Sequence, residues 1–200
     1  MACVIGQEPE GVYEKRWAMF RIRPSDLLDL LQFMSRHDVD LKAEPLPPDV
    51  RTADAFYDSE QEQCVLVLES AFYTPVQARL FRGRWSGGWD EIIFALNDDA
   101  PPPVRPRSLP QDVRWEAYFI PPECLIQLLQ TIASGESYNL PPLPPDTQVM
   151  DAFYDSERAA FVLFLESSFF DKANVESEGG NTHIGMPERH LNLTRGEKPT

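Results

Sequence analysis

Seven consecutive residues, Asp54-Ala55-Phe56-Tyr57-Asp58-Ser59-Glu60, return unchanged as Asp151-Ala152-Phe153-Tyr154-Asp155-Ser156-Glu157. No other feature of the chain constrains its fold as much. Three shorter matches accompany it. Arg16-Trp17 returns as Arg114-Trp115, Leu46-Pro47-Pro48-Asp49 as Leu143-Pro144-Pro145-Asp146, and Leu68-Glu69-Ser70 as Leu165-Glu166-Ser167. The offset is 98 residues at the tryptophan and 97 from the proline motif onward. Self-similarity at a fixed spacing makes each copy one structural unit.

Each unit reads in the same order. Alternation from Trp17 to Ile22, and again from Trp115 to Ile120, predicts a strand. Pro24 with Asp26, and Pro122 with Glu123, then mark helix starts. The helices carry apolar stripes at Leu27, Leu30, Leu31 and Met34, and at Leu125, Leu128, Leu129 and Ile132. Gly135 ends the second helix; His37 or Asp38 stands near that place in the first. A proline-rich loop follows, and its repetition inside each unit favours a structural role over a ligand for an aromatic groove. Two strands close the unit, at about 53–58 and 64–72, and at about 150–155 and 161–170, around polar turn residues.

The expected fold is therefore α+β. Two tandem β-α-β-β repeats with pseudo-twofold symmetry form a mainly antiparallel sheet covered by two helices. The sequence divides into an N-terminal extension (1–13), repeat 1 (14–73), an Arg/Trp/Gly insert with a Pro-rich linker (74–113), repeat 2 (114–173) and a flexible polar tail (174–200). The insert has no sequence counterpart after the second copy. Periodicity leaves residues 89–96 open between strand and helix.

Charge narrows the function. The chain has 18 Lys+Arg against 32 Asp+Glu, a formal net charge of -14, which argues against holding nucleic acid through its phosphates. The acidity is uneven: residues 74–114 carry net +1, with every base an arginine, while the flanking stretches carry -7 and -8. No apolar run is long enough to cross a bilayer as a helix, and the N-terminus lacks the basic and apolar regions of a signal peptide. Cys3, Cys64 and Cys124 are odd in number and widely spaced, so neither a disulfide framework nor a zinc ribbon is expected. A reducing, cytoplasmic setting follows.

Two constellations are candidates for chemistry. On strands, Asp54, Phe56 and Asp58 share one face, with Ala55 and Tyr57 on the other. Pairing Phe56 with Val67 would set Asp54 opposite Glu69, and the same register sets Asp151 opposite Glu166. Facing carboxylates need a cation, a proton or a basic side chain between them. Asp54, Asp58, Glu69, Asp151, Asp155 and Glu166 are thus candidate ligands for a divalent metal. The alternative is that these acids cap turns, pair with Arg16, Arg51 or Arg114, or face water. The second constellation is Arg79, Arg82, Arg84, Trp85 and Trp89 around Gly83, Gly87 and Gly88. Arginine beside tryptophan suits a flat anion such as a nucleotide. It has neither the P-loop nor the dinucleotide spacing, and a turn packed on the core is the alternative. The aromatic pairs Phe56-Tyr57, Phe72-Tyr73, Phe153-Tyr154 and Phe169-Phe170 are expected in the core or on a sheet face.

The string from Leu143-Pro144-Pro145-Asp146 through Asp151-Ala152-Phe153-Tyr154-Asp155 to Phe161–Ser167 resembles short uncharacterised proteins of phage and prophage genomes. The resemblance covers each repeat but neither insert nor tail. It implies a setting in which small acidic proteins block or sequester host components. The leading expectation is a non-enzymatic acidic binding protein without a cofactor, directed at a protein partner, plausibly a basic one. The other expectations are a protein that sequesters a nucleotide or small anion, and a metal-dependent hydrolase using the repeated acids. Direct binding to a nucleic-acid backbone or to a membrane is not expected.

Overall fold

A computed structural model describes residues 10–36, 45–81, 84–88, 90–93, 114–134, 138–171, 174–178, 181–191 and 193–195 of the chain. Strands β1 (Gly11–Lys15) and β2 (Trp17–Ile22) lead into helix α1 (Pro24–Arg36). Next come β3 (Arg51–Asp58), β4 (Gln63–Glu69), β5 (Val76–Phe81), β6 (Arg84–Ser86) and β7 (Asp90–Ile93). After them stand β8 (Trp115–Ile120), α2 (Pro122–Ser134), β9 (Tyr138–Asn139), β10 (Gln148–Asp155) and β11 (Ala160–Glu166). The last strands are β12 (Asn174–Glu178), β13 (Asn181–Gly185), β14 (Glu188–His190) and β15 (Thr194–Arg195). The fold is α+β, with two helices and mostly antiparallel sheets.

Two four-stranded sheets dominate, in the orders β3-β4-β2-β7 and β10-β11-β8-β14. In each, three strands are antiparallel and the fourth lies parallel to the strand that precedes the helix. The insert therefore does have a topological counterpart. Hairpin β5–β6 precedes the parallel strand β7, as hairpin β12–β13 precedes the parallel strand β14. Sequence comparison missed this because an edge strand is held by backbone pairing, which different side chains can support. Within 89–96, residues Asp90–Ile93 are strand. The expected polar tail is corrected in the same way. Glu188–His190 pair with Ala117–Phe119, and Leu191 is buried in the core.

Helix starts follow the residue signals. Pro24 and Pro122 each open a helix with an acid in the first turn, Asp26 and Glu123. Asp26 also receives the Arg23 guanidinium at 2.8 Å. The inward stripes Leu27, Leu30 and Leu31, and Leu125, Leu128 and Leu129, are all buried. They meet Phe20, Leu66, Leu68, Phe161, Leu163 and Leu165 in one continuous core that draws on both halves. Helix α1 packs on β10 of the second half, and α2 on β3 of the first. The contacts are reciprocal: Gln32 donates to the Pro144 carbonyl at 3.1 Å, and Gln130 to the Pro47 carbonyl at 3.4 Å. The His37, Asp38 and Gly135 cap positions lie outside the described residues.

Candidate functional site

The repeated motifs converge on a latch. Asp49, from the proline loop, accepts from the Ser70 hydroxyl at 2.6 Å and the Ala71 N–H at 2.9 Å. Asp146 accepts from the hydroxyls of Ser167 and Ser168, and from the Ser168 N–H at 2.9 Å. Prolines on the preceding residues hold each aspartate in an extended approach. Arg16 completes the first latch by donating to the carbonyls of Ala71 and Tyr73, at 3.3 and 2.9 Å. Arg114 donates to Phe170 O at 2.9 Å. Burial pushes the Asp146 carboxyl up, but its serine hydroxyl and N–H donors outweigh that and hold it below the ordinary 3.8. Hydrogen bonds from Ser70 and Ala71 likewise lower Asp49.

The hairpin acids do not face one another. Asp54 pairs with Val67, while Glu69 sits opposite Arg51 and is bound by it at 3.0 Å. Asp151 pairs with Phe164, and Gln148 takes the place opposite Glu166. The expected register fails because a bulge intervenes between Thr52 and Asp54, and between Val149 and Asp151. The turn also fits four residues between Asp58 and Gln63, ending on Glu62 in the left-handed region (φ 53°). At each bulge the aspartate accepts from the next backbone N–H at 2.8 Å: Ala55 to Asp54 and Ala152 to Asp151. Loss of water around Asp54 raises its carboxyl, against the lowering effect of that N–H.

Asp58 and Asp155 cap the turns. Asp58 accepts from the N–H groups of Glu60 and Gln61 and pairs with Arg21 at 3.1 Å. Asp155 accepts from Glu157 and Arg158 N–H at 2.9 and 3.1 Å. Burial raises the Asp58 carboxyl, but Arg21 and the two N–H donors hold it lower on balance. Among the described residues, no group of three or more His, Cys, Asp or Glu is placed to hold a metal. Burial pushes the Cys64 thiol up to about 12, well away from a reactive thiolate.

The Arg/Trp constellation is only partly visible. Arg82 and Trp89 lie outside the described residues. Arg84 and Trp85 occupy β6, opposite Phe81 and Leu80. Arg79 is exposed on β5. The aromatic pairs divide in a way the sequence did not indicate. Tyr57, Tyr73 and Tyr154 pack against the core and Phe170 lies within it. Phe72 and Phe169, however, are 72% and 69% exposed. The missed signal is their position just past the repeated serine, where strand alternation no longer sets the facing of a side chain.

Two grooves flank these features. One of about 580 Å³ is lined by Glu14, Lys15, Arg16, Asp49, Arg51, Glu69, Ser70 and Ala71, and so adjoins the Phe72 turn. The other, of about 300 Å³, lies where Pro24, Tyr57 and Glu62 meet Met150 and Asp151. Burial raises the Tyr57 phenol, with Asp151 among the negative neighbours adding to the shift. Tyr154 is raised by burial and by Asp54 in the reciprocal arrangement. No family model matches the chain, and neither the curated proteins nor the solved structures give a significant match.

Proposed function

We propose that the chain is a non-enzymatic acidic binding protein, built from two tandem β-α-β-β repeats about a pseudo-twofold axis. We place it in the cytoplasm, where it engages a basic protein partner. One observation carries this reading: the repeated carboxylates serve the scaffold. Asp49 and Asp146 hold loops, Asp54 and Asp151 satisfy bulges, and Asp58 and Asp155 cap turns. Their recurrence therefore needs no shared reaction. The reciprocal Gln32–Pro144 and Gln130–Pro47 bonds support the twofold relation. The net charge of -14 gives a field that steers basic proteins and suppresses acidic ones. Resemblance to phage-type proteins gives the partner a natural setting as a host component that the chain blocks.

The test is retention from a bacterial lysate on the immobilised full chain, at about 50 mM and about 500 mM salt. Basic proteins should be retained at low salt and released at high salt, because charge steering is screened within a Debye length of about 10 Å at 0.1 M. A chain that retains nothing overturns the reading.

A further inference from the structure

The two exposed phenylalanines stand on rigid mounts. Tyr73 N–H bonds to Ser70 O at 3.2 Å, and Phe72 N–H to Ser70 Oγ at 3.1 Å. Ala71 N–H is held by Asp49, while Arg16 binds the carbonyls on either side of Phe72. The second mount repeats the pattern. Phe170 N–H bonds to Ser167 O at 3.4 Å, Phe169 N–H to Ser167 Oγ at 3.1 Å, and Ser168 N–H to Asp146. Next in the chain, Tyr73 packs against the core and Phe170 is buried in it. The turn backbone is thus fixed at both ends, and the large apolar ring at its tip is left in water.

Leaving a phenylalanine exposed forgoes roughly 1.5–3 kcal/mol of burial. Doing so at matching positions of both copies, on turns tied down by aspartate, serine and arginine, is the construction expected of a preorganised contact residue. Aromatic anchors dominate binding energy at interfaces, and a rigid mount lowers the entropy lost on docking. The surroundings indicate what covers them. The polar groove beside Phe72 offers the carboxylates of Glu14, Asp49 and Glu69. Asp171 is exposed two residues past Phe169.

We propose that Phe72 and Phe169 are twin docking residues, each seated in an apolar pocket rimmed by Lys or Arg on a protein partner. One chain then engages two equivalent pockets. This rests on the binding-protein reading above and adds which residues bind and in what stoichiometry.

The experiment compares the wild-type chain with Phe72→Ala, Phe169→Ala and the double variant. Each is immobilised and loaded with the basic proteins retained from lysate at about 50 mM salt. Because both rings are exposed, circular dichroism and thermal midpoints should match wild type. Each single variant should hold about half as much partner at saturation, and the double variant at least tenfold less at equal loading. Unchanged retention by the double variant, with the wild type still binding, overturns the twin-anchor inference and leaves the binding function standing. Loss of all retention from one single variant overturns the equivalence of the two turns. A wild-type chain that binds nothing overturns both.

Discussion

Ala159 closes the second hairpin turn with φ 48°, as Glu62 closes the first with φ 53°. A side chain in the left-handed region costs roughly 1–2 kcal/mol, partly offset in glycine by its freer unfolded chain. Ala159→Gly should therefore stabilise the protein by about 0.5–1 kcal/mol. A higher urea midpoint with an unchanged slope would show it. Asp146 makes the opposite case. Its carboxyl is held below the ordinary 3.8, so it contributes stability above that value and loses the contribution as pH falls through its lowered folded value. Asp146→Asn should cost about 2 kcal/mol at pH 7, with the difference from wild type shrinking below about pH 4. Urea unfolding across pH 2.5–7 tests this, and a difference that does not vary with pH would refute it. The residues themselves were visible in the repeat, but their roles were not. A repeated aspartate reads alike whether it faces a metal or the next N–H, and only distances of 2.8–2.9 Å to backbone donors separate the two.

Helix α2 shows an element whose sequence was nearly sufficient. Proline at its start and the stripe Leu125, Leu128, Leu129 and Ile132 place its buried face without tertiary information, and all four are buried. Leu128→Ala removes a fully buried side chain and should cost about 2–5 kcal/mol, read by chemical denaturation. The strands were legible by face but not by register. Ala55 is buried and Phe56 exposed, as alternation predicts. The bulges after Thr52 and Val149 are invisible to alternation, and they turned an expected carboxylate pair into separate aspartates on their own backbone. The short edge strands β7 and β14 were hidden too, because parallel backbone pairing leaves little mark on three or four residues.

The whole molecule has one core, not two. Leu30 of the first half and Leu128 of the second belong to the same buried cluster, and each helix rests on the other half's sheet. The chain should thus unfold in one transition with matching calorimetric and van't Hoff enthalpies. Leu30→Ala and Leu128→Ala should each lower that single transition. Two resolved peaks, one shifted by each variant, would mean that the halves melt independently.

By itself, the sequence determined the duplication, the α+β class, the inward helix stripes and the acidic field. These follow from residue type and spacing, which act locally and need no partner elsewhere in the chain. Tertiary structure alone decided which acids meet, that each helix lies on the opposite half, and that Phe72 and Phe169 face water. Those outcomes depend on bulges, turn length and the docking of distant segments. There, a shift of one or two residues changes a carboxylate's neighbour from another carboxylate to an N–H, and the sequence records no preference between them.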